Sequence, residues 1–408
     1  MLNEMSKKAK AASARLGVAD TEKRNSALSA MAEALVLRSA EIIGANSLDI
    51  ENAKANGMSD SMLDRLTLTE TRINAISESV KKVIALPDPL ANCEEWTRPN
   101  GIKITKKRVP FGVIAIIYEA RPNVTADAAA LCVKSGNAVI LRGGKEAINS
   151  NLAIARVLSD ALTSVGLPGD CVQVVPDTSR ETANKLMKLK GGIDLLIPRG
   201  GKSLIRSVVE NATVPVIETG AGNCHIYFDE SADTEKALNI IDNAKRQRPS
   251  VCNAAESLLV HSAAAERLLP LVKERMPNVE LRGCERTRGI IDVKQATEED
   301  FFTEYNDYIL AVKVVDSVYE AVEHINIHGT GHSEAIITEN AENAEYFCNN
   351  IDAAAVYVNA STRFTDGEEF GFGAEIGIST QKMHARGPMG LPEMTTYKYV
   401  ISGEGQIR

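Results

Sequence analysis

The sequence lacks any apolar run that approaches the ~20 residues a membrane-spanning helix requires, so we do not expect a membrane protein. The first residues, MLNEMSKKAKAASARLG, contain lysines but no apolar core behind them, so we expect no secretory signal there. Hydrophobic residues make up 44% and charged residues 25% of the 408 positions, which is ordinary for a globular protein. A chain of this length predicts two domains.

No CxxC pair occurs, and the cysteines are scattered and odd in number, which argues against a disulfide framework and against a zinc site. We therefore expect reduced thiols, a cytoplasmic location and no bound metal. The seven cysteines are Cys93, Cys132, Cys171, Cys224, Cys252, Cys284 and Cys348.

A long basic stripe interleaved with aromatic residues is also missing, and the net charge is −8. Both observations argue against nucleic acid as a partner. Small anionic ligands remain compatible with the sequence where cations cluster locally.

Residues 1–90 show helical periodicity. For example, Ile73, Ile76, Val80 and Val83 recur at helical spacing behind Thr69, a suitable N-cap. Residues 98–109 follow, with a turn and then alternating lysines, which predicts an exposed β-ribbon whose lysines protect an edge from aggregation.

From residue 112 the pattern changes to short apolar runs separated by helical segments. Such alternation predicts parallel strands joined by helices, most simply a doubly wound α/β sheet that binds ligands at the carboxyl ends of its strands. The first series of predicted strands covers 112–118, 138–141, 171–175, 193–197 and 214–218, and the second covers 225–229, 257–261, 311–315 and 354–359. We place the domain boundary near residues 222–224.

The word RGGK occurs twice, at 142–145 and 199–202, each time directly after a predicted strand. Glycines at a strand-to-helix turn allow main-chain N–H groups to approach an anion, and the neighbouring cations add charge. Each word is also compatible with an ordinary tight connection. Since neither is a Walker A motif and GxGxxG is absent, two such words indicate a phosphate-bearing cofactor without a Rossmann fingerprint.

Cys252 lies in RQRPSVCNAAE, a loop between predicted elements with cations upstream and small neighbours. Nearby cations lower the pKa of a thiol, so Cys252 is the candidate nucleophile, although a small buried filler is the alternative. Glu218 ends a predicted strand and is either a general base or a capping or salt-bridging residue. Asn123 could donate its amide to an oxyanion, cap the following helix, or do both.

His328 and His332 are four residues apart, a spacing that suits a zinc pair on a helix. Gly329 and Gly331 make such a helix improbable. A glycine-rich loop that shapes a polar pocket is the preferred interpretation.

The order of these features resembles the aldehyde dehydrogenase superfamily and, within it, the γ-glutamyl phosphate reductases. The most specific words are YEARPNVT, VIETGAGNCH, QRPSVCNAAE, AVEHINIHGTGHSEAI and EFGFGAEIGIST, and the resemblance covers essentially the whole chain. It implies NADPH-dependent reduction of L-glutamate 5-phosphate to L-glutamate 5-semialdehyde in L-proline biosynthesis, with phosphate released after a cysteine thioester. A hydrolytic NAD-dependent aldehyde dehydrogenase acting on another semialdehyde is the alternative.

The resemblance also implies roles for particular residues. Cys252, Asn123 and Glu218 would be catalytic, with the role of Glu218 open. The residues expected to contact the substrate or its phosphate are Arg246, Arg248, His328 and His332, with salt bridges as an equal alternative for the two arginines. The residues expected to bind the cofactor are Arg142, Gly143, Lys145, Gly200, Gly201 and Glu304. Lys145 stands where NAD-using relatives carry a ribose-binding glutamate, which favours the 2′-phosphate of NADPH.

The expected domains are an NADP-binding domain (1–97 and 110–223), a catalytic domain (224–385) and oligomerisation β elements with a C-terminal tail (98–109 and 386–408). We accordingly expect a homo-oligomer. Because the acyl phosphate is labile and no kinase-like segment is present, we expect functional pairing with a separate glutamate 5-kinase.

Overall fold

The structure, a computed structural model, describes residues 1–408 except for the side chains of Ser61 and Lys202. The helices of the described chain, α1 to α15, are in order Leu2–Leu16, Thr21–Leu37, Ser39–Ala55, Asp60–Leu66, Glu70–Ala85, Asn123–Lys134, Ile148–Ser164, Arg180–Met187, Lys202–Asn211, Thr234–Arg246, Ser262–Arg275, Glu285–Ile290, Glu298–Phe301, Val318–His328 and Ala341–Asn350.

The strands, β1 to β16, are in order Cys93–Thr97, Lys103–Pro110, Val113–Tyr118, Ala138–Arg142, Val172–Val174, Leu195–Arg199, Cys224–Phe228, Ala255–His261, Glu280–Gly283, Lys294–Gln295, Ile309–Val315, Ser333–Ile337, Ala355–Val358, Ile378–Ser379, Gly387–Pro388 and Thr395–Ser402. Short 3₁₀ turns cover Lys145–Ala147, Gly169–Cys171, Thr362–Phe364 and Pro392–Met394.

Two compact units divide the chain. The first comprises Met1–Glu218, Phe372–Ile376 and Met389–Arg408, and the second comprises Thr219–Gly371 and Gly377–Pro388. The sequence placed this division a few residues later, near 222–224. Each unit contains its own parallel sheet.

The sheet of the first unit has the strand order β5-β4-β3-β6, with parallel pairing throughout. All six residues of β3 are buried, because this strand has a neighbour on both edges and helices on the faces. The helical prediction for the N-terminal region is confirmed: Thr69 accepts a hydrogen bond from the N–H of Arg72, and α5 buries its predicted apolar positions. That helix ends at Ala85, just before a proline.

A separate antiparallel sheet of the first unit has the order β1-β2-β16. β2 pairs with β16 over eight residues, from Lys103–Ser402 to Pro110–Thr395. Trp96 and Tyr399 make an edge-to-face contact with ring centroids 6.1 Å apart, and both side chains are exposed. The predicted ribbon and terminal strand therefore belong to one sheet, although its first strand, β1, lies entirely before residue 98.

The second unit is built on a seven-stranded parallel sheet of order β10-β9-β11-β8-β7-β12-β13. Its apolar core fills the space between the sheet and the helices α10 and α11, and includes Ile226, Leu258 and Leu268. The α/β prediction with parallel sheets is thus confirmed.

The strand prediction differs from the structure in several places, and β9, β10, β14 and β15 were not predicted. Residues 214–218 form one bridge, from Val216 to Leu196, rather than a strand, since Pro215 has no N–H to extend the ladder. Conversely, β12 was not predicted, because its letters SEAII begin with two polar residues that are buried here. None of the described helices has the length and apolar character needed to cross a bilayer.

Candidate active site

Cys252 lies in the loop between α10 and β8, and its side chain is partly buried. Three other cysteines are fully enclosed, and burial raises the pKa of each; they are Cys132, Cys171 and Cys224. Cys284 differs, because hydrogen bonds from Thr287 and from main-chain N–H groups outweigh burial and lower the pKa of its thiol. Partial exposure of Cys252 is what a nucleophile that must meet a substrate requires.

The main chain of Cys252 is fixed by two residues of the segment that opens the second unit. The Cys224 thiol donates to the Cys252 carbonyl oxygen, with 3.1 Å between the heavy atoms. Gly222 packs so closely that a Cβ atom added to it would lie 2.5 Å from the Cys252 Cα and nearer still to its carbonyl group. Only glycine fits at position 222 while Cys252 keeps this position.

Glu304 connects to the same segment. Its Oε1 accepts a hydrogen bond of 2.9 Å from the N–H of Gly222. The sequence assigned Glu304 to the cofactor ribose. In this structure the carboxylate positions the glycine that contacts the nucleophile.

A buried ion pair closes the base of the nucleophile loop. Lys245 Nζ and Glu256 Oε2 are 2.6 Å apart, and both side chains are 0% exposed. The second oxygen of Glu256 accepts from the N–H of Asn306 at 3.1 Å. Burial raises the pKa of Glu256 to about 7 and lowers the pKa of Lys245. Because these two residues flank residues 246–255, the pair holds the two ends of the loop together.

Asn253 joins the nucleophile loop to the turn at Thr362–Phe364. Its amide donates to the carbonyl oxygens of Arg363 and Thr365, at 3.3 and 2.9 Å. The Thr362 hydroxyl donates to the Asn253 carbonyl oxygen at 2.7 Å. This turn follows β13, so the second unit brings a distant segment beside Cys252.

The two arginines expected at the substrate have different surroundings. Arg246 forms an ion pair of 2.8 Å with Asp242 and donates to the carbonyl oxygen of Arg275. Arg248 is exposed. The charge of Arg246 is therefore balanced by Asp242 within α10. Arg248 has no such ion pair among the described residues.

His328 and His332 both lie inside the second unit. His328 is the last residue of α14, and its Nε2 is 2.7 Å from Glu298 Oε1. His332 is fully buried, with Nδ1 2.8 Å from the Ser333 hydroxyl and 3.7 Å from the Cys224 thiol. Burial lowers the pKa of His332 to about 4. The helix ends before Gly329, so the two imidazoles do not share a helix face.

Asn123 is the first residue of α6 and its side chain is exposed. Its amide Nδ2 donates to Asp127 Oδ2 at 3.0 Å, one helical turn later. Burial raises the pKa of Asp127 to about 6. The structure gives Asn123 a fixed amide orientation with one N–H of the amide still available, rather than an N-cap hydrogen bond.

The first RGGK word forms the turn after β4. Arg142 donates to the carbonyl oxygens of Thr178 and Ser179, and burial lowers the pKa of its guanidinium. A Cβ added to Gly143 would overlap the amide nitrogen of Asn151 and lie 3.1 Å from the ring of Tyr118, so a side chain would not fit there. Lys145 begins the following 3₁₀ turn and is exposed.

The second word follows β6. The N–H of Gly201 donates to Glu119 Oε1 at 2.9 Å, and a Cβ on Gly200 would lie 2.7 Å from the carboxyl carbon of Glu119. A carboxylate oxygen thus accepts from one main-chain N–H of this turn. The side chain of Lys202 lies outside the described residues. Glu218, partly buried, is the last residue of the first long segment.

Sequence reasoning counted Lys245 among the cations near Cys252 but did not predict its ion pair with Glu256. It assigned no role to Gly222, Cys224 or Arg363. The glycine in GAGNC and the charged residues of the loop were the available signals. Neither signal says which distant residue it contacts.

Comparison with known proteins identifies the family. The sequence profile of the Aldehyde dehydrogenase family matches residues 2–288 and 295–400. A gamma-glutamyl phosphate reductase of Caldanaerobacter subterraneus subsp. tengcongensis is 61% identical over 406 residues, which is 98% of each chain.

Solved structures agree with this result. The crystal structure of gamma-glutamyl phosphate reductase from Thermotoga maritima has a TM-score of 0.99 and 51% identity, and the match covers 100% of this chain and 99% of that one. An engineered glycolyl-CoA reductase with bound NADP+ has the same fold, with a TM-score of 0.69 at 16% identity; 98% of this chain and 96% of that one are covered. The chain therefore belongs to the aldehyde dehydrogenase family of oxidoreductases, and within it to the γ-glutamyl phosphate reductases.

Proposed function

We propose that the chain reduces L-glutamate 5-phosphate to L-glutamate 5-semialdehyde with NADPH, releasing phosphate, as a step of L-proline biosynthesis in the cytoplasm. The observation that carries the proposal is the Cys252 loop, a partly exposed thiol whose main chain is fixed by Gly222 and Cys224. Relatives named gamma-glutamyl phosphate reductase support the choice of substrate.

Cys252 is the nucleophile in this proposal. Its thiolate attacks the acyl carbon, the carbon–sulfur bond forms, and the bond from carbon to the phosphate oxygen breaks to release phosphate. Asn123 donates its amide N–H to the oxyanion formed at the acyl carbon, together with the main-chain N–H of Cys252. The product of this first step is a thioester on Cys252. Once the thioester carbon has received a hydride, the new tetrahedral oxyanion collapses, the carbon–sulfur bond breaks, and the thiolate and the aldehyde are released.

The cofactor supplies the hydride that reduces the thioester. We assign its binding to the turns at Arg142, Gly143, Gly200 and Gly201, and support for this comes from the N–H of Gly201, which already donates to a carboxylate. Lys145, exposed at the end of the first turn, is assigned to the 2′-phosphate of NADPH. The assignment of Glu304 to the ribose is kept as part of the proposal.

Glu218 needs a different role from the one it would have in a hydrolytic enzyme. A hydrolytic aldehyde dehydrogenase uses a base to activate water on the thioester, whereas a reductase that consumes an acyl phosphate must keep water away from it. We assign Glu218 either to the thiol proton or to local structure.

Four further parts of the proposal concern domains and partners. We propose that residues 1–97 and 110–223 bind NADP. Residues 224–385 carry the catalytic thiol, with His328 and His332 in its polar surroundings. Residues 98–109 and 386–408 mediate homo-oligomerisation. The exposed aromatic residues of the β1-β2-β16 sheet support the last assignment. Pairing with a glutamate 5-kinase would protect the labile acyl phosphate.

The test is oxidation of glutamate 5-semialdehyde by NADP in the presence and absence of inorganic phosphate. We expect activity only with phosphate, and we expect Cys252→Ala to abolish it. Cys284→Ala is the matched control, because it removes another partly exposed thiol of the second unit. Oxidation that proceeds equally well without phosphate would support the hydrolytic alternative instead.

A further inference from the structure

Arg363 stands beside the nucleophile loop. Its carbonyl oxygen accepts from the Asn253 amide, and the neighbouring Thr362 hydroxyl donates to the Asn253 carbonyl oxygen. Its guanidinium Nε donates to Gln247 Oε1 at 3.0 Å. Residues 247 and 253 are both in the loop that carries Cys252, so Arg363 is anchored to this loop through its main chain and through its side chain.

The charges around Arg363 are unusual for an arginine. Burial lowers the pKa of its guanidinium, and the positive charge of Arg248 acts in the same direction. Asp366 and the thiols of Cys252 and Cys224 act in the opposite direction. The hydrogen bonds of Arg363 agree with this, because they reach Gln247, which precedes Arg248, and Asn253, which follows Cys252.

Neither the Arg248 nor the Arg363 guanidinium has a carboxylate of the described chain as its counterion. Among the described residues, Arg248 and Arg363 form no ion pair with any carboxylate. Asp366 acts on Arg363 without forming an ion pair with it, and its Oδ1 accepts from the N–H groups of Glu368 and Glu369 at 2.8 and 3.3 Å. Like charges held together without a counterion are destabilising, and an anion bound to both would relieve this cost.

Several other arginines of the second unit are ion-paired. Arg286 forms two hydrogen bonds with Asp316, at 2.7 and 2.9 Å, and Arg246 is paired with Asp242. Within the part of the chain that the structure describes, Arg267 and Arg288 have only neutral partners, Thr234 and Gln295 among them. What distinguishes Arg363 and Arg248 from these is their place at the loop that carries the thiol.

We propose that Arg363 and Arg248 form a subsite that binds an oxyanion group of the substrate next to Cys252. A guanidinium binds a phosphate or a carboxylate through paired N–H groups, so the group is the acyl phosphate itself or the α-carboxylate of the amino acid. This inference rests on the proposed function, in which the substrate carries both groups. Arg363 is then a binding residue of the reaction.

The experiment uses Arg363→Met and Arg248→Met, with Arg286→Met as the control for loss of an arginine. In the oxidation of glutamate 5-semialdehyde by NADP, the KM for inorganic phosphate and the KM for the semialdehyde are measured separately. Loss of a charge-assisted hydrogen bond predicts a rise of about tenfold in one of them. A rise confined to the phosphate KM identifies the phosphate as the ligand, and a rise confined to the semialdehyde KM identifies the α-carboxylate. Arg363→Lys keeps the charge without the paired geometry and should give a smaller rise.

A second readout does not depend on hydride transfer. Inorganic phosphate or L-glutamate should slow the alkylation of Cys252 by iodoacetamide in the wild-type chain, and this protection should weaken in both Met variants and persist in Arg286→Met. If Arg363→Met does not fold, Arg248→Met still tests the subsite, because residue 248 is exposed.

Unchanged KM values together with unchanged protection in the folded variants would overturn the inference. An inactive wild-type chain whose Cys252 is nevertheless protected in an Arg363-dependent way would instead overturn the proposed reaction and keep the subsite. The two failures are therefore distinguishable.

Discussion

Replacing Gly222 by alanine tests whether the position of Cys252 depends on its glycine neighbour. The added Cβ would lie 2.5 Å from the Cys252 Cα, whereas real Cβ atoms stay at least 3.0 Å from other heavy atoms. The atoms in the way belong to the main chain, so a change of rotamer cannot relieve the overlap. The nucleophile must move by about 0.5 Å at its Cα and by more at its carbonyl group.

Displacement of this size has a predictable effect on rate. Since a misplacement of about 1 Å can cost 10²-fold, we expect kcat/KM of Gly222→Ala to fall roughly 10- to 100-fold. Overpacking should also lower the free energy of unfolding by about 1–3 kcal/mol. The rate is measured as phosphate-dependent oxidation of glutamate 5-semialdehyde, and stability is measured by urea denaturation.

Gly289→Ala is the matched control in the same unit. Gly289 lies in α12, and a Cβ added there would meet no atom within 4 Å. We expect full activity and unchanged or higher stability, because alanine favours the helix. Wild-type kcat/KM in Gly222→Ala would refute the claim that this contact positions the nucleophile.

Three more predictions concern other charged groups. Lys245→Met should lower the free energy of unfolding by about 3–5 kcal/mol, because it leaves Glu256 buried and unpaired, and the double variant with Glu256→Leu should lose less; equal losses in urea denaturation would contradict this. The folded-state pKa of Asp127 is raised from 3.8 to about 6, so its contribution to stability is present below pH 3.8 and is lost as the pH rises through 6. Asp127→Asn should therefore flatten the dependence of the free energy of unfolding on pH over this range, and an unchanged slope would argue against a buried carboxyl there. Lys145→Glu should lower the preference for NADPH over NADH, and an unchanged ratio of kcat/KM values would place recognition of the 2′-phosphate elsewhere.

The sequence predicted much of the fold because hydrophobic periodicity is a local property. Runs such as 112–118 and 138–141 became buried parallel strands, and the α5 positions at helical spacing became its buried face. The prediction of strands failed where the type of a single residue suggests the wrong structure. Pro215 interrupts an apolar run, and Ser333 and Glu334 are polar residues inside a buried strand.

The candidate site was predictable only in part for a related reason. Cys252 stood out because its loop has cations and small residues, which are near it in sequence. The contacts that fix Cys252 and its loop come from Gly222, Cys224 and Arg363, which are distant in sequence and brought close only by folding of the second unit. Arg246 and Arg248 looked equivalent in the sequence, and only the ion pair with Asp242 separates them.

The central claim is that the acyl group is carried on the sulfur of Cys252. The most direct measurement is mass spectrometry of the acid-quenched protein after incubation with glutamate 5-semialdehyde and NADP in the absence of phosphate. The account predicts a glutamyl adduct on the Cys252 peptide that disappears when inorganic phosphate is added before the quench. An adduct on another cysteine, or phosphate-dependent turnover by Cys252→Ala, would contradict it.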